Sequence, residues 1–552
     1  MSSLSELTPA QAKQRWDEVE VHAPSLAALR QALPWLGLAG RTRRLVVRVA
    51  ATDRPELLRV PAAVGRRVPT TAELSRAETG LHIGVELAKH TEVAMIARAV
   101  LDAGLPAFSR TAGLRVGLTG PEALVWAVGD PTVGAALGPV DPALPAAHDV
   151  LVGPNTLHVD PRVPRVSGGL PPVDTVLCAP RGFCAAGPEV ALLDRDGTLR
   201  WADAERRIES WTGLTENDIA ALRAVRAVRV ADGLDPRVVA QLCCAGIPVC
   251  AKDPGLDAAL GLELTARLRT LDPDALADPI DRESWSIDTR RLALARFAPA
   301  ARWAATAAAL GVPTRPKPTV SVLVATRRTA LLPFALAQIA RQDWADLQVV
   351  LVLHGPTAAD PVVADATVGF PRPLQIVEVG ADVVFGRALN IGLDHCAGDL
   401  VTKFDDDDWY GPAHITDLVQ AHEHSGALLV GCGGYYVYLA GPDVTIRWTH
   451  VPTEAATTWV HGGTILLERA ALRALGGFAA VPVGEDAVLL TAVRTAGGAI
   501  YGIHDLGFCY FRGRDHTWIP AEGDTRWLDT DAVKLPGFAP PPQLDPMPHP
   551  WR

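Results

Sequence analysis

The chain has 552 residues, of which 48% are hydrophobic and 21% charged, and its formal net charge is −10. One hydrophobic core does not serve that length, so about two to four domains are expected. The acid excess, with no basic tract, argues against nucleic acid as a partner. No apolar run reaches bilayer length, because Arg296 and Arg302 break the alanine-rich stretch 292–312, so no transmembrane segment is expected. Eight cysteines, at 178, 184, 243, 244, 250, 396, 432 and 509, form no CxxC pair. Neither a zinc site nor a disulfide frame is indicated. With no charged-then-apolar leader, a cytoplasmic protein is expected.

Residues 40–160 alternate short apolar strands, such as Leu45-Val46-Val47 and Leu81-His82-Ile83, with helical stretches such as Thr91 to Ala103, closed by Gly104. This reads as an α/β N-terminal region over 1–160. Pro161 to Pro172 holds four prolines and the pair Gly168-Gly169, a break in the chain. A second α/β region is expected over 161–312, with Val228-Arg229-Val230 as a strand, a helix around Val238 to Cys244, and Ile247-Pro248-Val249 as a strand. Asp232 to Lys252 and the long helix Ser286 to Leu310 loosely resemble the closing half-domain of GT-B-type glycosyltransferases. Within this region, Asp194-Arg195-Asp196-Gly197-Thr198 matches the first motif of haloacid dehalogenase-type phosphatases, which would make Asp194 a nucleophile and Asp196 a general acid. The competing reading is a hairpin turning at Asp196-Gly197, and no downstream hydroxyl closes the next strand, so the hairpin is favoured.

Three prolines between Pro313 and Pro318 make a stiff connector. From there the periodicity sharpens. Val320 to Val324 is a buried strand, Ala325-Thr326-Arg327-Arg328 a loop, and a helix follows with Leu332, Ala335, Leu336 and Ile339 on one face. Leu347 to Leu353 and Leu374 to Val379 are further strands. A helix beginning near Gly386 leads to the strand Leu400 to Phe404, which runs into Asp405-Asp406-Asp407-Asp408-Trp409. Four adjacent carboxylates raise one another's pKa unless something neutralises them. A hard divalent cation would do so and leave room for substrate phosphates; a solvated acidic turn is the alternative. Strand, helix and strand in this order describe a parallel sheet whose rim collects ligand groups. Beyond Leu535 seven prolines mark residues 531–552 as an extended or disordered tail.

The ordered set Val320-Ser321-Val322 with the Thr326 loop, Gly386-x-x-x-Asn390-x-Gly392, Gly398-Asp399, Asp405 to Asp408, Gly476-Gly477-Phe478, Glu485-Asp486 and His516 resembles family 2 glycosyltransferases of the GT-A fold, over roughly Pro318 to Trp518. The resemblance implies an α/β, Rossmann-like, mostly parallel GT-A domain over 313–530. It implies a nucleotide-sugar donor, a divalent metal (Mn²⁺ or Mg²⁺), and a glycan, lipid-linked or small-molecule acceptor. By family position, Asp405 and Asp406 lie at the donor, Asp405 and Asp407 at the metal with Asp407 as direct ligand, and His516 completes the metal shell or touches the diphosphate. Asp486 is the implied general base, the plainer reading being that Glu485 and Asp486 only cap a helix. Thr326, Arg327, Arg387 and Asn390 fall on the donor-contacting loop and helix. His354 stands where many relatives carry a base-reading acidic pair. Trp409, Trp459, Gly462, Gly463 and Glu485 are expected to border the sugar or acceptor. The Gln-x-x-Arg-Trp motif of processive synthases is absent. The expected reaction is metal-dependent, inverting transfer of one sugar, in surface glycan, glycolipid or glycosylated metabolite synthesis. A non-catalytic sugar-nucleotide-binding scaffold and a phosphatase at Asp194 and Asp196 are the alternatives.

Overall fold

The computed structural model describes residues 13–23, 39–50, 69–77, 80–104, 112–119, 121–126, 133–135, 148–154, 160–166, 168–175, 189–201, 204–208, 213–314, 316–448, 453–513, 525–528 and 530–550, with a few single positions between them. The chain forms two compact units. One comprises residues 1–174, 296–316 and 495–498; the other comprises 175–295, 317–494 and 499–552.

In the first unit, strands Arg15–Ala23, Arg41–Val49, Thr71–Ala77 and Gly80–Glu92 build a mixed sheet, ordered with the last-named strand between the second and third. Helix Val93–Gly104 packs on it through Val93, Ile96, Ala97 and Val100, all buried against Leu45, Val47, Ile83 and Val85. The strands expected at 45–47 and 81–83 and the helix expected from Thr91 are all present. A second, parallel sheet around Val116–Leu118 and Val150–Val152 is packed by helix Pro299–Ala309, whose Trp303 is fully buried against Trp126.

In the second unit, Val190–Leu193 and Thr198–Trp201 pair antiparallel as a hairpin. The Asp194 backbone carbonyl accepts the Gly197 amide, Gly197 has φ +82°, and the Asp194 carboxylate pairs with Arg200 across the turn. The phosphatase-like motif is thus a hairpin turn whose first carboxylate is already ion-paired.

The eight-stranded sheet that follows runs, in spatial order, Leu374–Val379, Leu347–His354, Val320–Thr326, Leu400–Phe404, Leu466–Glu468, Leu429–Cys432, Ile500–Ile503 and Ala455–Thr457. The first four are parallel to one another. Val320–Thr326 and Leu347–His354, with continuous apolar runs, and Leu400–Phe404 are buried on both faces, as covered parallel strands require, whereas the edge strand Leu374–Val379 is only half-buried. Gly392 lets helix Phe385–His395 lie directly on the sheet, because a Cβ there would strike Val352 and Leu323. All four strands point their C-terminal ends to one rim, which carries Thr326, His354 and Asp405.

Helix Pro279–Phe297 anchors the 175–295 segment to this body. Arg290 pairs with Glu454 at 2.9 Å, and Arg291 grips both oxygens of Asp417, which also meets His504 at 3.0 Å. Arg290, Glu454 and His504 are buried and Arg291 and Asp417 partly so; burying charges carries a desolvation cost that offsets much of the gain from pairing. The proline-rich tail is extended and ordered here: Val533–Pro536 adds a strand antiparallel to Val444–Trp448.

Candidate active site

A cleft of about 620 Å³ opens at the rim of the parallel sheet, lined by the first-strand loop, the acidic run, the 459–463 turn and the start of helix Glu485–Thr495. Asp405 is held there by its own neighbours. Its amide donates to the Tyr410 hydroxyl (2.8 Å), which in turn donates to the Gly463 carbonyl (2.9 Å). The Tyr410 ring stacks on Phe404 with centroids 4.0 Å apart. The sequence Phe404-Asp405-x-x-x-x-Tyr410 therefore folds back on itself and ties the acidic run to the 462–464 turn.

The four carboxylates have four different environments. Asp405 bonds to Lys403 Nζ at 2.7 Å. Burial opposes its ionisation, but Lys403 overcomes that and holds its pKa below the usual carboxylate range. Asp406 and Asp407 are both gripped by Arg328, with Nη1 2.7 Å from Asp407, and Thr326 Oγ1 donates to Asp406. Burial and the adjacent Asp407 raise Asp406 to about 6 despite Arg328, and burial raises Asp407 too. Asp408 turns inward, accepts the Phe511 amide at 2.8 Å, and is pushed well above its ordinary value by burial, which favours its neutral form.

Lys403 also faces Glu485 at 3.5 Å. Burial would depress this ammonium, but Asp405 and Glu485 more than reverse the effect and keep it charged. Burial raises Glu485, with Lys403 opposing. Neighbouring Asp486 stands in the first helical turn, its Oδ1 accepting the Ala487 amide. The two glycines of His461-Gly462-Gly463 serve as seats for carboxylates: a Cβ on Gly462 would overlap Asp486, and one on Gly463 would meet Asp405. His461 is partly buried near both acids, and desolvation lowers its pKa to about 4, which favours its neutral form.

On the far side, Arg327 lies against His354, with Nε donating to Nδ1 at 3.1 Å, and His354 Nε2 donates to the Val383 carbonyl at 2.7 Å. Burial depresses His354. Phe385, Trp459, Tyr510 and Trp527 add aromatic faces to the cleft.

Of the residues singled out from sequence, Thr326, Arg327, His354, Asp405, Asp406, Asp407, Trp459, Gly462, Gly463, Glu485 and Asp486 come together here. Three do not. Arg387 is exposed and outside the cleft. Asn390, expected at the donor, instead closes the Gly477-Phe478 turn, donating to the Phe478 carbonyl (2.7 Å) and accepting its amide (2.8 Å). Trp409, expected beside the sugar, is wholly buried, stacked on Phe538 at 4.5 Å. His516 lies outside the described residues. Sequence reading passed over Arg328 and Lys403. The signal for Lys403 was a lone cation in an otherwise apolar strand, two residues before the acids; Arg328 offered only its adjacency to Arg327.

Among the described residues no three His, Cys, Asp or Glu side chains converge as a ready-made metal cage. Asp405 and Asp407 do present hard carboxylate oxygens to the cleft. That donor set suits a cation of the Mg²⁺ type, bound through one or two carboxylates and completed by substrate phosphates and water.

The residues from Ser321 to Leu472 (321–472) match the family model described as glycosyl transferase family 2. Over this segment the chain is similar to family 2 glycosyltransferases. Among solved structures, the chain is similar to the mannosyltransferase PcManGT from Pyrobaculum calidifontis in complex with GDP-Man and Mn²⁺, at 21% identity and a TM-score of 0.30, covering 38% of this chain and 60% of that one. It is also similar to residues 1–349 of TarS from S. aureus in complex with UDP-GlcNAc, at 15% identity and a TM-score of 0.30, covering 36% of this chain and 60% of that one. The chain thus spans about 60% of the length of either relative. No curated protein matches the sequence.

Proposed function

We propose that the protein is a glycosyltransferase that moves one sugar from a nucleotide-sugar donor to an acceptor hydroxyl with inversion at the anomeric carbon. One observation carries the reading: Asp405 and Asp486, from separate elements, are seated on the adjacent glycines 463 and 462 and face one cleft. The donor-side acids and the candidate base are therefore held in a fixed relation by two residues of the chain.

In this reading the nucleotide lies over the rim formed by Thr326, His354 and Asp405, and its diphosphate reaches the Asp407 and Arg328 side. Asp486 accepts the proton of the acceptor hydroxyl as that oxygen bonds to the anomeric carbon. The bond from that carbon to the diphosphate oxygen breaks, and the nucleoside diphosphate leaves with the electron pair. Arg328 can pair with phosphate oxygens as well as with carboxylates. A divalent cation at Asp407 and Asp405, when bound, would act as a Lewis acid on the departing diphosphate. The aromatic faces of Trp459, Tyr510 and Trp527 suit a pyranose ring. A glycan, glycolipid or glycosylated metabolite would supply the acceptor hydroxyl.

The test is a thermal-shift panel of UDP, GDP, dTDP and CDP, each with and without Mn²⁺, on wild type and Asp407→Asn. A ligand at ~100 times its Kd adds about 2.7 kcal/mol of stability to a folded site. Cation-dependent stabilisation by one nucleotide, lost in Asp407→Asn, is expected; no stabilisation by any of them refutes the donor site.

A further inference from the structure

The acidic run is held from behind by a part of the chain outside the family match. After pairing with the Val444–Trp448 strand, the C-terminal segment is fixed at successive points. Phe538 stacks on Trp409, Gln543 donates to Ser284 Oγ at 2.7 Å, and Arg341 donates to the Leu544 carbonyl at 3.1 Å. Leu544 is fully buried, and Trp409 Nε1 donates to the Met547 carbonyl at 2.9 Å.

The segment then delivers His549 into a pocket of rings, 4.0 Å from Phe511 and 4.6 Å from Phe334 between centroids. There His549 Nε2 lies 3.0 Å from the backbone carbonyl of Asp407. A carbonyl only accepts, so Nε2 carries the hydrogen and donates it. The neighbouring backbone groups are held as firmly: the Asp405 amide by Tyr410 Oη, and the Asp408 carbonyl by Gln338 Nε2 at 2.7 Å. His549 is the support at the residue between them, whose carboxylate faces Arg328 and the cleft.

We propose that His549 is a positioning residue for the donor site: its Nε2–H grips the Asp407 carbonyl and fixes where the Asp407 carboxylate stands in the cleft. The proposal rests on the donor-site reading above. It assigns the tail a part in donor binding that its composition did not suggest. Partners behind a ligating group commonly tune affinity by about 10–100-fold.

The experiment compares wild type, His549→Phe and His549→Gln. Phenylalanine keeps the ring packing and loses the donor, whereas glutamine restores an N–H at a similar reach. Each protein is titrated with UDP, GDP, dTDP and CDP in the presence of Mn²⁺, and its ligand-free melting temperature is recorded. Where wild type binds a nucleotide, His549→Phe is expected to bind it at least ~10-fold more weakly, and His549→Gln to recover most of that loss. If His549→Phe does not fold, His549→Asn, whose amide is too short to reach the carbonyl, takes its place with the same expected weakening. Wild-type affinity in the folded donor-less variant overturns the proposal, as does equal weakening in His549→Gln. If wild type itself binds none of the four, the donor-site reading fails and takes this proposal with it.

Discussion

Lys403 offers a prediction whose size and pH dependence both follow from its surroundings. Its side chain is only 6% exposed, and it faces Asp405 at 2.7 Å and Glu485 at 3.5 Å. Lys403→Met keeps the length and apolar stem but leaves two carboxylates without their cation. Removing one partner of a buried pair costs about 3–5 kcal/mol. Asp405 retains some contact with solvent, which places the expected loss near the lower figure, about 3 kcal/mol. The pH dependence distinguishes this cause from ordinary packing damage. In the variant, both carboxylates have folded pKa values above their unfolded values of about 3.9 and 4.3. Their ionised forms then penalise the folded state at pH 8, and the penalty is relieved as pH falls through the raised values. In wild type, Asp405 has a depressed pKa, so its contribution is complete above the unfolded value and is lost only below about pH 4. Denaturant unfolding at pH 8 and pH 5 should therefore show a deficit that narrows markedly at the lower pH. An equal deficit at both values, or none at pH 8, would show that Lys403 does not neutralise this pair.

The other predictions concern the cleft directly. Asp486→Asn should lower kcat by about 10²–10⁴ while leaving nucleotide affinity intact, measured by transfer assay and titration. Gly462→Ala should lower kcat in the same way, because the added methyl overlaps the Asp486 carboxylate; unchanged turnover would remove the glycine from the site. Asn390→Ala should cost about 1–3 kcal/mol by stranding the amide and carbonyl of Phe478, and should leave nucleotide binding unaltered once folded. A selective loss of nucleotide affinity would return Asn390 to the donor.

The parallel sheet was legible because its inner strands are buried on both faces, and continuous runs such as Val349 to Leu353 state that plainly. The position of Asp405 was legible for a related reason: a charged residue directly after such a run lies at a strand end. What local pattern did not reveal was how a side chain is used when its partner is distant in sequence. Asn390 looks the same in sequence whether it meets a ligand or, 88 residues away, the Phe478 backbone. Trp409 beside four acids reads as a cleft aromatic, but its indole is enclosed by Phe538 and His549 from a tail judged on proline content alone.

The acidic run shows the same limit at the level of charge. Four adjacent carboxylates require compensation, and from sequence a divalent metal ion is the expected source. The fold supplies part of it from within: Lys403 serves Asp405, Arg328 serves Asp406 and Asp407, and burial pushes Asp408 toward its neutral form. Mutual repulsion is therefore only partly left for a bound cation to offset in the ligand-free protein. The case for one moves to the moment of donor binding. In the proposed reading a diphosphate would bring its own negative charge beside Asp407, and Arg328 would be shared between the carboxylates and the phosphates. The prediction is a cation that binds at Asp407 tightly with a nucleotide and weakly without one. Titrating Mn²⁺ alone and then with the stabilising nucleotide measures that difference, and tight binding of Mn²⁺ alone would contradict it.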